Sequence, residues 1–391
     1  MSKSGVFILI LLIAVGFYFY SNQDISLPSF CSGDEKLFNN ECIPDTVCGD
    51  NTSNYQCSTN KPFKCINESL IESATECGCE EGFKPIENIC EEIKYCRDNT
   101  PYGECSTTIP KYCQDGALIY KASVCGCEEG FIPDKERCIS KYKINPKDIY
   151  FEYTLRGESN SIKLTVYGEL NSYLASLPRT ISYYEYEPVP TKKDFLEREL
   201  NNKIQEPYLV ELSTKIKALD LSNDDKARVA ISLVQNIPYD QNAFKTNNVT
   251  GKYPYQVLYT NTGVCGEKST LLIFLLKELG YETAYIAFDP ENHAVAGIKC
   301  ADQYDYRDTG YCFIETTRPT IPTYKAAEYT NVGYIMSIPI VVKLSEGIAF
   351  ETIGEEHLDA LNYEKINKMG PILEPSYYAK WLALVEKYGL G

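Results

Sequence analysis

Six cysteines recur twice at the same spacing, and no other feature constrains the chain as tightly. Cys48, Cys57, Cys65, Cys77, Cys79 and Cys90 are separated by 9, 8, 12, 2 and 11 residues. Cys96, Cys105, Cys113, Cys125, Cys127 and Cys138 repeat those intervals at an offset of 48. The intervening residues repeat as well: Cys77-Gly-Cys-Glu-Glu-Gly-Phe83 returns as Cys125-Gly-Cys-Glu-Glu-Gly-Phe131. Cys31 and Cys42 fall 48 residues before Cys79 and Cys90 and read as the tail of a truncated third unit. A period of this size marks an array of small modules. Such modules cannot build a sufficient core, so the cysteines read as a disulfide framework in an oxidising compartment. Zinc fits less well, because its sites favour CxxC pairs, often with histidine. Here the pairs are CxC and the region holds no histidine.

The truncated unit fixes part of the connectivity. With only two cysteines it pairs Cys31 with Cys42, so repeat logic pairs Cys79 with Cys90 and Cys127 with Cys138. The Cys-x-Cys-x-x-Gly-Phe-x6-Cys endings resemble the C-terminal half of EGF-like modules. That resemblance implies Cys48–Cys65, Cys57–Cys77, Cys96–Cys113 and Cys105–Cys125. Modules of this kind act as spacers or contact surface-protein partners. Residues 31–140 carry 20 acidic and 10 basic side chains, which keep the stalk solvated. No loop motif for calcium is present.

Val6 to Tyr20 is an unbroken apolar run preceded by the single charge Lys3. It is either a cleaved signal peptide, with Ala14-Val15-Gly16 as a small-x-small site, or an uncleaved signal anchor. The anchor is favoured, since Tyr18 and Tyr20 suit a membrane interface and Lys3 holds the N-terminus inside. Residues 1–22 are therefore expected to be a single transmembrane helix at the cell membrane, with the bulk of the chain extracytoplasmic; the alternative is secretion. The sequons at Asn51, Asn67 and Asn248 are compatible with glycosylation after export. A net charge of −16 leaves no electrostatic footprint for nucleic acid. The repeats occupy 23–141, as a partial unit at 31–42 and full units at 48–90 and 96–138.

Beyond Cys138 the sequence turns rich in Tyr, Ile and Leu. Residues 142–190 read as a small β-rich segment, with strands at 149–155 and 161–167 around a Gly-Glu-Ser-Asn turn. Helical patterning follows from Lys192. One helix runs from Asp224 to Asn236 and stops at Pro238; a second runs from Glu267 to Leu279 and stops at Gly280. Strands are expected at 283–288, 294–299, 311–316 and 335–344, and helical sequence returns around 377–386. This is an α+β arrangement.

Three cysteines lie outside the stalk. Cys300 and Cys312 face each other across a polar stretch between two strands and read as a disulfide. Cys265 is left over, just ahead of the second helix, where the helix dipole and unpaired N–H groups favour a thiolate and can hold an oxyanion. His293 opens a strand, and Glu315 lies on the next one. A thiolate needs a proton partner, and that partner needs an orienting acceptor. Only one other histidine exists, His357, in polar sequence that reads as surface.

Gly263-Val-Cys265-Gly-Glu-Lys-Ser-Thr-Leu-Leu, Asn292-His-Ala-Val295 and Phe313-Ile-Glu-Thr-Thr317 together resemble the transglutaminase-like superfamily, of papain-like fold. The resemblance covers about residues 195–345 and places the catalytic domain at 191–391. It implies Cys265 as nucleophile, His293 as general base and acid, and Glu315 as the orienting group, where the family usually has Asp. The oxyanion hole would use the Cys265 N–H with Tyr239 or Gln256. The implied chemistry is acyl transfer through a thioester, on a protein or peptide substrate. Hydrolysis by a cysteine protease or amidase is favoured over protein crosslinking, and a non-catalytic adhesion or scaffold role is a third reading. Nothing in the sequence calls for a cofactor or a metal.

Overall fold

The computed structural model describes residues 35–38, 41–44, 46–246, 251–325 and 333–390. The anchor expected at 1–22, Cys31 with its pairing to Cys42, and the sequon at Asn248 lie outside these residues. Among the described residues no helix is long and apolar enough to cross a membrane. The chain divides into two compact units between Cys138 and Ile139.

In the first unit each repeat folds the same way. A hairpin (Phe63–Ile66 with Ser69–Glu72) leads into a one-turn helix (Ala74–Cys77) and a second hairpin (Phe83–Ile86 with Ile89–Glu92). The next repeat has Lys111–Gln114, Ala117–Tyr120, Ala122–Cys125, Phe131–Asp134 and Arg137–Ser140 in the same order. Disulfides join Cys48–Cys65, Cys57–Cys77 and Cys79–Cys90 in one repeat, and Cys96–Cys113, Cys105–Cys125 and Cys127–Cys138 in the other. Their cysteines form much of the small buried interior, with Cys65 and Cys113 fully buried. A polar turn is repeated too: the Asp50 carboxylate accepts from the Thr52 N–H and the Ser58 hydroxyl, as Asp98 does from Thr100 and Ser106. Asn51 and Asn67 are exposed.

The second unit opens with a long hairpin, β1 (Pro146–Leu155) and β2 (Glu158–Tyr167). Helices follow: α1 (Gly168–Ser176), α2 (Lys192–Leu200), α3 (Glu206–Lys217), α4 (Asn223–Asn236), α5 (Gln241–Lys245), α6 (Pro254–Thr260) and α7 (Cys265–Glu278). Next come β3 (Thr283–Phe288), β4 (His293–Lys299), β5 (Tyr311–Ile314) and β6 (Ile340–Ser345). They form one antiparallel sheet in the order β5-β4-β3-β6. Helices α8 (Gly354–Asn367) and α9 (Pro375–Tyr388) close the chain.

The sheet is covered on both faces. Ala296, Ile298, Cys312 and Ile314 join a core with α3, α4, α6, α7 and the inner face of the β1–β2 hairpin. On the other face Ala284, Ile286, Val295 and Phe313 pack with Tyr306, Ile321 and Ala360. The hairpin in 142–190 thus shares its core with the helices rather than forming one of its own. Helix α7 lies at the centre of the first core. Its Leu271, Leu272, Leu275 and Leu276 are fully buried, each contributing roughly 1.5–3 kcal/mol of apolar transfer.

Three readings of the sequence need correction. The strand expected at 335–344 begins only at Ile340. Pro339 has no N–H to give a ladder, and the Glu291 carboxylate takes the N–H groups of Met336 (2.9 Å) and Ser337 (2.8 Å). The strand expected to reach Thr316 ends at Ile314, so Glu315 lies just beyond it. His357 lies on α8, half-buried, its ring 5.1 Å from that of Tyr304.

Candidate active site

Cys265 is the first residue of α7, and among the described residues it is the one free cysteine. The helix start is fixed by Glu267, whose carboxylate accepts the Val264 N–H at 3.0 Å and the Lys252 N–H at 2.8 Å. One oxygen thereby caps α7 and the other holds the segment before α6. At Gly266 a Cβ would stand 2.7 Å from the Tyr285 hydroxyl oxygen, so a larger residue there would have to push that side chain aside.

His293 is the first residue of β4, paired across the sheet with Phe288. Asn292 delivers it from a left-handed conformation (φ 47°), which asparagine tolerates better than most residues. Its Nε2 lies 2.9 Å from Oε2 of Glu315, and the imidazole also hydrogen-bonds Cys265. Nε2 being engaged with the carboxylate, Nδ1 is the ring nitrogen left for the sulfur. Both partners are buried: His293 is 5% and Glu315 1% exposed.

Glu315 ends its own strand. Its Oε1 accepts the N–H groups of Thr316 (2.9 Å) and Thr317 (2.8 Å), so these donors leave the ladder and Oε2 turns to the imidazole. Burial raises the pKa of this carboxyl, but His293 and the Thr317 N–H outweigh it and hold it below the usual value. For His293, burial works against the charge. The Glu315 carboxylate and Cys265 overcome it, and the imidazole pKa is raised to about 10. The ring is thus an imidazolium through neutral pH.

Two groups that the sequence analysis passed over hold these parts together. Lys268, one turn along α7 from Cys265, is fully buried. Its ammonium donates to the carbonyls of Gln235 (3.2 Å), Ile237 and Thr317 (3.2 Å), three acceptors for three N–H groups. It therefore ties α7, which carries Cys265, to the segment before Tyr239 and to the segment after Glu315. Burial lowers its pKa to about 7, with Glu315 opposing. Gln235, at the buried end of α4, donates from Nε2 to the carbonyls of Glu315 (2.8 Å) and Thr320 (3.0 Å). The available signal for Lys268 was a lysine one turn before the apolar run Leu271–Leu276 on the same helix. Nothing local marks Gln235.

Of the two oxyanion candidates, the structure brings one to Cys265. The Tyr239 phenol hydrogen-bonds the Cys265 backbone N–H and, being buried beside Cys265 and Glu315, has a raised pKa. Gln256 is elsewhere. Its Oε1 accepts the Tyr253 N–H (3.1 Å) and the Arg179 guanidinium (2.9 Å), which caps α6.

Cys265 and His293 share a cleft of about 570 Å³, walled by α2 through Phe195 and Glu199 and by Tyr285 of β3. Burial raises the Glu199 pKa to about 7 against the pull of Arg198 and Arg179. A second cleft, of about 350 Å³, is lined by His293 and Tyr239 but not by Cys265. Cys300 and Cys312, joined as a disulfide, tie β4 to β5 at the far end from His293. Among the described residues no group of three or more His, Cys, Asp or Glu is placed to hold a metal.

No curated protein matches the chain. Residues 211–312, from α3 into β5 and including Cys265 and His293, match the model of the Transglutaminase-like superfamily, and the chain carries a transglutaminase-like domain there.

Proposed function

We propose that the second unit is a thiol-dependent acyl-transfer enzyme working outside the cytoplasm, and that its usual acceptor is water. Cys265 attacks a peptide or carboxamide carbonyl, forming the Sγ–C bond. His293 gives its proton to the leaving nitrogen as the C–N bond breaks. In the second half an acceptor loses a proton to His293, attacks the thioester and releases Cys265. Glu315 orients the imidazole and balances its charge, the role of a longer-armed aspartate. The Cys265 N–H and the Tyr239 O–H stand beside the sulfur, where an oxyanion develops. The observation that carries this reading is the His293–Glu315 pair at 2.9 Å, buried beside Cys265, the one free thiol among the described residues, at a helix start.

The disulfide-rich first unit supports an extracellular setting. In our reading residues 1–22 anchor the chain, and the stalk spaces the enzyme from the membrane. The test compares wild type with Cys265→Ala on casein, with and without cadaverine. Cys265-dependent fragments indicate hydrolysis, and Cys265-dependent cadaverine incorporation indicates crosslinking. The absence of both would sink the enzymatic reading.

A further inference from the structure

Two clefts meet at His293 and Tyr239: Cys265 lines the first but not the second, whereas His293 and Tyr239 line both. An acyl group on the sulfur lies in the first cleft, and the second offers a separate approach to His293.

The wall of that second cleft carries one formal charge besides His293, that of Arg318. In the second unit Arg156, Arg198 and Arg228 meet carboxylates, Arg179 and Arg307 stack on tyrosines, and Arg318 makes no ion pair, hydrogen bond or ring contact through its side chain among the described residues. Its backbone is held firmly. Gln235 clamps the carbonyls on either side of it, at Glu315 and Thr320, and accepts the Thr320 N–H at 3.4 Å. Lys268 holds the Thr317 carbonyl, and the Thr320 hydroxyl holds the carbonyl of Arg318 itself (3.1 Å). An exposed guanidinium with no hydrogen bond, ion pair or ring contact among the described residues, its charge felt only at a distance by Tyr324, thus rides on a loop clamped from three sides in a chain of net charge −16. A preorganised fork of this kind suits a carboxylate, and less of its binding free energy is lost to ordering.

We infer that the second cleft is an anion subsite: the amine that leaves or accepts the acyl group carries a carboxylate read by Arg318, as an amino acid or the C-terminal part of a peptide does. The assignment of leaving or accepting amine rests on the acyl-transfer reading; the anion site does not. The chemistry balances without further reactants. Acylation breaks the C–N bond, and the released amine keeps its carboxylate on Arg318 while taking the His293 proton. Reversal with a carboxylate-bearing amine forms the C–N bond and returns that proton to His293. A protein lysine side chain brings no carboxylate to Arg318 and is the poorer acceptor.

The test uses the full chain with Cys265→Ala, so that no turnover intervenes, titrated with glycylglycine and with glycylglycinamide and followed by ligand-observed NMR. The expected result is a preference for the free carboxylate of about tenfold or more, the worth of one charge-assisted hydrogen bond. Arg318→Gln should abolish the preference and leave glycylglycinamide binding unchanged, and Arg318→Lys should restore part of it. Equal binding of the two dipeptides, binding of neither, or a preference that survives Arg318→Gln would overturn the inference. A preference that holds while wild type never acylates at Cys265 would support the anion site and count against the acyl-transfer reading instead.

Discussion

In the proposed site Glu315 stands where the resemblance would put an aspartate, and its position is consistent with the longer side chain. The residue stands past the end of β5, whose last paired residue, Ile314, faces Ala296 rather than His293. The carboxylate must therefore span from a turn to the ring, and the extra methylene supplies the reach. Glu315→Asp keeps the charge but withdraws it, so acylation at Cys265 should slow. Glu315→Gln should slow it further, by about 10²–10⁴-fold, as loss of the orienting charge does in comparable triads. Single-turnover acylation rates check both. The His293 pair also has a signature in stability. The folded imidazole holds its proton to about pH 10, against 6.5 for an ordinary histidine. A raised pKa contributes stability that is complete below pH 6.5 and is lost as pH rises through about 10. The stability difference between wild type and His293→Gln should therefore shrink across that window, as read from urea midpoints at matched pH. The proximity of Cys265, His293 and Glu315 was legible in part: Cys265 was read at a helix start and His293 at a strand start, while Glu315 was read within a strand that in fact ends at Ile314. The turn that aims Glu315 was not legible, because it depends on that residue capturing the next two N–H groups.

Among the elements, α7 does the positioning. Its leucines fix it against the sheet, and Lys268 fixes the neighbouring segments against it. Lys268→Met should strand the carbonyls of Gln235, Ile237 and Thr317 and destabilise the chain by roughly 2–4 kcal/mol. The measurement is urea unfolding with Arg and Met variants in parallel; an unchanged midpoint for Met would contradict the clamp. Helices α4 and α7 were readable because their apolar residues recur at one period and Pro238 or Gly280 stops them, and strands β3 and β4 because each is a short, nearly unbroken apolar run. Helix α8 was not. Its Leu358 and Leu361 are exposed while Glu356 is buried against Arg228, so the usual periodic signal is absent. Strand β6 was placed too early, because its apolar approach from Ile335 is held by Glu291 instead of by a neighbouring strand.

Across the whole molecule, two kinds of sequence build two kinds of interior. The stalk has cysteines where a larger domain has leucines, and the period of 48 shows this without any structure. The second unit buries enough apolar sequence to need a single disulfide among its described residues, Cys300–Cys312, which leaves Cys265 unoxidised beside its histidine. The proposed chemistry rests on that thiol. The most direct measurement is mass spectrometry of the native, unreduced chain after brief exposure to p-nitrophenyl acetate. Wild type should carry one acetyl group, on Cys265, which water then removes. His293→Gln should acquire it far more slowly, and Cys265→Ala not at all. Acetylation that is absent from Cys265, or that proceeds equally in Cys265→Ala, would contradict the account.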